Sequence, residues 1–296
     1  MKKFFKWVGI VIGALLVIIL ISAFIFYNIS TSKVSKKFDV SPEKISIPTD
    51  PASIERGKHL VKIVCTDCHG EDLAGTDFFS DPALGEIHAA NLTSGKGGAG
   101  QDFTDEDWVR AIRHGVDDEG RGLMIMPSSS FYNMNDADLG AVIAYLKSIP
   151  PVDKEWGKPN LTPMSKIMAG AGAFGNYLAV ETIPHTAPRP ISPPEGVTVE
   201  YGDYLVTLMD CRACHGSNLA GGQSSEPGSP LSPNLTSGGE MGTWSETDFV
   251  QTIRGGVTPT GKGLNKYMPW KTYALMTDDE LFAVYKYIKS LPPVSN

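Results

Sequence analysis

The sequence predicts an all-α protein in which two tandem helical domains follow a membrane-spanning N-terminal helix. Three observations predict it. Residues 7–27 form an uncharged apolar run; the remainder repeats itself at an offset that drifts between 146 and 141 residues; and no alternating strand pattern of useful length appears.

The apolar run comes first. Its 21 residues, at about 1.5 Å per residue in a helix, cover a hydrocarbon core about 30 Å thick. Trp7 and Tyr27 stand at its ends, where interfacial aromatics belong. A cleaved signal peptide would have an apolar region of about 7–15 residues and a small-x-small cleavage site. Here the run is longer, the one candidate site (Ser30-Thr31-Ser32) is weak, and no cysteine stands nearby for lipidation. Residues 1–30 therefore read as a transmembrane anchor touching lipid through 7–27, and residues 31–50, with Ser, Thr, Lys and Pro, as a tether.

The repeat defines two domains, 51–152 and 197–296. Cys-Thr-Asp-Cys-His-Gly-Glu-Asp-Leu-Ala-Gly returns as Cys-Arg-Ala-Cys-His-Gly-Ser-Asn-Leu-Ala-Gly. Asn91-Leu92-Thr93-Ser94 returns at 234–237, Arg113-His114-Gly115-Val116 as Arg254-Gly255-Gly256-Val257, and a Lys-Ser-x-Pro-Pro-Val ending closes both copies. Residues 153–196 are Pro-rich and without a counterpart; they read as an interdomain linker, with 164–180 as a short helix at the domain interface.

Within each copy a first helix (54–64; 201–209) leads into the Cys-x-x-Cys-His motif. A middle helix starts at a capping box, Thr104 with Asp107 and Ser245 with Asp248, flanked by the staples Phe103/Trp108 and Trp244/Phe249. A last helix is stopped by Pro-Pro. Gly57 and Gly202 lie in the first helices, where glycine costs stability; close approach of the last helix, near Tyr145 and Tyr287, would account for them.

The four cysteines, Cys65, Cys68, Cys211 and Cys214, all fall in Cys-x-x-Cys-His pentapeptides. A disulfide framework does not require His after each second Cys, and zinc ribbons place their knuckles within about 20 residues, whereas these lie 146 apart. The pattern fits two covalently bound haem c groups. Each thiol joins one vinyl side of a porphyrin, and the following His69 or His215 becomes the proximal iron ligand.

The sixth ligand decides between electron transfer and catalysis, because Met closes the iron whereas an open position admits oxygen or peroxide. Met134 and Met276 precede capped helices and read as apolar staples. Met126-Pro127 and Met268-Pro269 lie in non-helical loops, 57 and 53 residues after their His, and are assigned as axial ligands. Met124, His59, His88, His114 and His185 have no counterpart in the other copy; each of these histidines reads first as a surface or hydrogen-bonded residue.

Residues 1–37 hold six Lys and no acid, leaving 20 basic against 33 acidic side chains beyond them, a net of −13. That excludes nucleic acid as a natural partner. It leaves open a solvated acidic surface or docking to a basic patch on a redox partner. Arg113 and Arg254 recur, as surface residues or as partners of haem propionates. The Asn-Leu-Thr tripeptides match a glycosylation sequon but read as turns near the haem edge.

These motifs resemble class I cytochrome c, twice. They are similar also to the multihaem cytochrome c subunits of membrane-bound alcohol and gluconate dehydrogenases, sharing Asn-Leu-Thr, Trp-Ser-Glu-Thr-Asp-Phe, Arg-Gly-Gly-Val and the Met-Pro loop. This chain departs from those subunits in having two haem motifs rather than three and an amino-terminal anchor. The resemblance implies no catalytic residues of its own. It implies a membrane-anchored electron carrier between respiratory redox partners: a dehydrogenase, a quinol-oxidising complex or a terminal oxidase. Its domains would face the periplasmic side of a bacterial cytoplasmic membrane, where c-type haem is attached. The competing reading is a dihaem peroxidase, which needs one iron open to peroxide.

Overall fold

The computed structural model describes residues 1–188, 193–222 and 230–295. Residues 189–192 of the expected linker, and 223–229 and 296 of the expected second domain, lie outside the described residues. Helix α1 (Lys2–Ser35) is the anchor candidate, with a mean hydropathy of 3.1 over its apolar window. It is apolar all round, as a lipid-facing helix is.

The first haem domain contains α2 (Pro51–Val64), α3 (Thr66–His69), α4 (Ala99–Asp102), α5 (Asp105–His114), α6 (Ser128–Phe131) and α7 (Asp136–Ser148). The connector carries α8 (Pro163–Gly170). The second domain contains α9 (Val199–Leu208), α10 (Cys211–His215), α11 (Glu246–Gly255), α12 (Trp270–Tyr273) and α13 (Asp278–Ser290). The fold is mainly helical, with one addition to the sequence reading. Strands β1 (Asp77–Asp81), β2 (Gly85–His88) and β3 (Asn160–Leu161) form a small antiparallel sheet in the order β1-β2-β3. They are too short, and β1 too exposed, to leave an alternating pattern.

Local chemistry sets the helix ends. Asp50 caps α2 through Ser53 N, with Pro51 in the first turn. Both expected capping boxes form, at Thr104/Asp107 and Ser245/Asp248, and Phe103 meets Trp108 edge-on at 5.2 Å. Met134 and Met276 sit before the caps of α7 and α13, buried in the core with Leu139 and Leu281. In each domain the first and last helices cross closely. A Cβ on Gly57 would collide with the Ala141 carbonyl, and one on Gly202 with the Ala283 carbonyl and Tyr287 Cβ.

Two expectations need correction. Residues 31–50 do not form a free tether. The first five complete α1, and the rest lies along the first domain. Phe38 N bonds Gly120 O, Arg110 reaches Val40 O, Glu43 meets Arg113 and His114, and Ile45 and Ile47 join the core. Likewise, the connector helix packs on α1 rather than between the haem domains: the Gly170 backbone touches that of Phe26. Lys and Ser side chains made 31–50 look solvated, but its apolar residues are inserted.

The two domains share one core. Across their boundary the contacts follow a quasi-twofold pattern. His59 donates to Glu280 at 2.8 Å, and at the matching place Tyr204 donates to Asp138 at 2.6 Å. Between these, Arg56 bonds Asp138 (3.0 Å), Glu280 (3.2 Å) and the Tyr201 hydroxyl (3.1 Å). Burial is the largest influence and works against the Arg56 charge, but the Asp138 bond and the fields of Asp138, Tyr201 and Glu195 together outweigh it and raise its pKa. Burial likewise pushes Glu280 up, yet the His59 bond, the Thr277 amide and Arg56 bring its pKa below the ordinary value.

Two predictions follow from this packing. Gly57→Ala and Gly202→Ala should each destabilise by about 1–3 kcal/mol, the usual cost of overpacking, read by thermal unfolding of the holoprotein. Glu280 has a depressed folded-state pKa, so its contribution is present above the unfolded value of about 4.3 and is lost as pH falls through the folded value. Glu280→Gln should therefore lower stability at neutral pH by about 1–3 kcal/mol and flatten the acid limb of the stability profile; an unchanged acid limb would show that the pair contributes nothing.

Candidate haem sites

Each attachment motif begins where a first helix ends. Cys65 is the C-cap of α2 and opens α3; Cys211 opens α10 directly after α9. The four thiols are not joined in disulfides. Burial, and secondarily the neighbouring Cys68, pushes the Cys65 thiol up to about 12; burial and Asp210 do the same for Cys211. This environment is the opposite of the one that lowers the thiol pKa in redox motifs.

After the His, both chains make the same turn through three left-handed positions. Gly70 and Gly216 have φ of 79° and 80°, Leu73 and Leu219 both have 58°, and Gly75 and Gly221 have 82° and 75°. Leucine in this region is uncommon and costs about 1–2 kcal/mol. Both leucines are buried, and each carbonyl accepts from Leu92 N or Leu235 N, which ties the turn to the Asn-Leu-Thr loop. Gly75 and Gly221 permit that contact: a Cβ on Gly75 would collide with Ala89–Ala90, and one on Gly221 with Ser232–Pro233.

The loop then delivers a carbonyl to the histidine. His69 Nδ1 lies 2.8 Å from Ala90 O, and His215 Nδ1 lies 2.9 Å from Pro233 O. A carbonyl can only accept, so Nδ1 carries the proton and Nε2 keeps its lone pair. Burial lowers the pKa of both rings, opposed by these bonds. The residues therefore fit a c-type haem: two paired thiols for the porphyrin and a neutral imidazole whose free nitrogen suits iron.

The next residue secures the carbonyl. Asn91 Nδ2 donates to Val152 O at 2.8 Å, and Asn234 Nδ2 to Val294 O at 2.6 Å. Thr93 and Thr236 hydroxyls accept from Val152 N and Val294 N. Both asparagines are buried, so the tripeptide is a structural clamp between the histidine loop and the Pro-Pro-Val ending, not an exposed sequon. This clamp was missed from sequence, although both of its halves recur in the repeat.

Met126 and Met268 are partly buried against the core in matching loops. Pro127 and Pro269 have nearly identical backbone angles (φ −79°, ψ 50°; φ −77°, ψ 47°) and open α6 and α12. Ile125 before Met126 has φ 66°. Met124 packs instead in a separate cluster with Val116, Leu178 and Val180. Arg113 and Arg254 are engaged elsewhere: Arg113 with Met134 O, Glu43 and Asp136, and Arg254 with Ala274 O and Asp278. The remaining histidines also have partners. His88 stacks on Trp156 at 4.8 Å, and His114 Nδ1 meets His185 Nδ1 at 2.9 Å.

The sites face each other in chain terms. Ser130 of α6 donates to Asp210, next to Cys211, at 2.7 Å; Thr272 of α12 donates to Asp67, between Cys65 and Cys68, at 3.5 Å. Each Met-Pro helix thus touches the attachment motif of the other domain.

The cytochrome c family model matches residues 54–150 and 199–292. Among similar proteins, the cytochrome c subunit of alcohol dehydrogenase (quinone) from Gluconacetobacter polyoxogenes is 28% identical, covering 83% of this chain and 57% of its own length. The fructose dehydrogenase cytochrome subunit of Gluconobacter japonicus is also 28% identical (83% and 55%), and the gluconate 2-dehydrogenase cytochrome c subunit of Pantoea cypripedii is 26% identical (81% and 60%). This chain spans little more than half the length of these relatives.

Asn91→Ala and Asn234→Ala should each remove the side-chain tie to the Val152 or Val294 carbonyl and cost about 1–3 kcal/mol, with the loss confined to one haem domain; thermal unfolding followed through the haem absorption reads it. Cys65→Ala/Cys68→Ala should cut the covalent haem content from two to one, and Cys211→Ala/Cys214→Ala likewise, by haemochrome assay.

Proposed function

This chain belongs to the cytochrome c family, and we propose that it is a membrane-anchored dihaem electron carrier serving as the electron-transfer subunit of a membrane dehydrogenase. Cys65 and Cys68 would hold the first haem, with His69 and Met126 as iron ligands. Cys211 and Cys214 would hold the second, with His215 and Met268. A bound haem supplies one-electron exchange between ferric and ferrous iron. The chain's own residues do the rest. The Ala90 and Pro233 carbonyls orient the imidazoles, the Asn clamps hold those carbonyls, and the Met-Pro loops would supply the Met126 and Met268 thioethers.

The observation that carries this reading is the reciprocal contact of each Met-Pro helix with the other domain's attachment motif. It brings both cofactor sites to one interface, as an internal relay requires. The matching Met-Pro geometry in both halves favours two closed irons over the peroxidase reading. The family relatives are named as cytochrome subunits of alcohol, fructose and gluconate dehydrogenases, which favours a dehydrogenase as donor, with substrate oxidation on a separate subunit. The apolar helix α1, and the attachment of c-type haem outside the cytoplasm, support a single-pass arrangement with the domains on the outer face of the cytoplasmic membrane.

Met126→Ala and Met268→Ala should each abolish one Met–iron charge-transfer band and lower one of two midpoint potentials in a redox titration. A native ferric protein with a high-spin component, or one that turns over peroxide with an electron donor, would overturn the carrier assignment. Loss of the band in Met134→Ala instead would overturn the ligand assignment.

A further inference from the structure

We propose that residues 163–176, α8 and the loop after it, form a second membrane contact beside the anchor. This segment rests in the headgroup region of the outer leaflet and holds the first haem domain on the bilayer in one orientation. The proposal rests on the reading of α1 as a membrane anchor.

The anchor supplies a ruler. Its apolar run ends at Tyr27. The Gly170 backbone is in contact with the Phe26 backbone, one residue inside that end. Lys166 Nζ stands 5.4 Å from the Tyr27 ring centroid. Tyr177 Oη lies 3.4 Å from Ser30 Oγ, and Lys33 pairs with Glu181 at 2.8 Å. Phe26 to Ser30 is about 6 Å along a helix. The chain from Gly170 to Tyr177 is therefore fixed at the height where the hydrocarbon gives way to headgroups. Partial burial of Ser22 and Ala23 carries the covered face of α1 one turn deeper still.

The chemistry of the segment matches that height. Residues 167–180 contain no charged side chain, and Ala171, Gly172, Ala173, Phe174, Gly175 and Asn176 are all exposed. Met164 is 56% and Phe174 37% exposed. An apolar, uncharged loop has no reason to stand bare in water against the outer end of a transmembrane helix. Its surface is continuous with the lipid-facing surface of α1, so lipid is the occupant that covers both. Lys166 beside Tyr27 makes the arrangement usual for an interfacial helix: apolar residues inward, a Lys ammonium reaching the phosphates, an aromatic ring between. Charged groups resume at Glu181, after the chain has risen past Ser30.

The test uses the full holoprotein in phosphatidylcholine–phosphatidylglycerol vesicles. All four native cysteines are consumed by haem in this reading, so one introduced Cys takes a nitroxide label uniquely. Labels at Phe174→Cys and Met164→Cys are compared with Leu16→Cys in the anchor and Ser295→Cys at the exposed carboxyl end. Collision with oxygen, which enters lipid, is measured against collision with a water-soluble nickel chelate. The expected oxygen-to-nickel ratio at 174 and 164 is severalfold above that at 295 and approaches that at 16. If 174 and 164 match 295 while 16 stays lipid-like, the second contact is wrong and the anchor stands. If 16 is also water-like, the anchor reading fails and the proposal falls with it.

Discussion

The arrangement of each half depends on one hydrogen bond, from the Nδ1 of His69 or His215 to a backbone carbonyl. That bond fixes the tautomer, and hence which nitrogen would be free to bind iron. It forms only if the carbonyl is held at the right place, and a loop carbonyl is not held by its own local geometry. In both halves the chain solves this identically. Three left-handed residues fold the segment after the His back on itself, a glycine without Cβ allows the return strand to pass, and an asparagine ties that strand to the end of the domain. The first haem residue and the last three residues of each repeat are thereby one mechanical unit. This explains why Pro-Pro-Val persists beyond the helix it terminates: its backbone is the far end of the histidine's support.

The two units meet through positions that correspond but differ. Arg56 and Tyr201, His59 and Tyr204, Asp138 and Glu280 occupy equivalent places in the repeat. Two identical copies could not build this interface: two arginines or two histidine–acid pairs would place like charges together in a buried setting. The first domain supplies both basic groups of the network and the second replaces them with phenols. The Arg56 cation is then shared among Asp138, Glu280 and the exposed Glu195. Burial raises the pKa of Tyr201 and Tyr204, so the phenols add no charge; Tyr201 accepts from Arg56 and Tyr204 donates to Asp138.

Mounting is equally asymmetric. The chain leaving α1 and the chain entering the second domain both run over the first domain, and they meet there. Glu43 from one and His185 from the other converge on His114, whose pKa is lowered by burial against the Glu43 bond. Position 114 is Gly255 in the second copy. A flexible tether would let the haem domains sample many distances from the bilayer. A strap bound by backbone and side-chain contacts allows one, which matters because electron transfer falls steeply with distance.

What was legible in the sequence follows from this division. Features that each domain needs for itself occur twice, and repetition exposed them: the Cys-x-x-Cys-His motifs, the capping boxes, the glycines between helices, the Met-Pro loops. Residues that act between domains occur once in each role and carry no internal repeat. Arg56 and Glu280 drew no interdomain role from the sequence, and His59 read only as a surface or hydrogen-bonded residue, without its partner. The Asn clamp was hidden for another reason. Both its halves repeat, but its partners are backbone atoms about 60 residues away, which leave no side-chain signature. The small sheet, the strap and the connector helix lie in segments without a copy, where neither repetition nor periodicity could act. Similarity between the halves therefore reports how each holds its own cofactor. The differences at aligned positions report how the halves hold each other, and that information becomes readable only when the partner across the boundary is known.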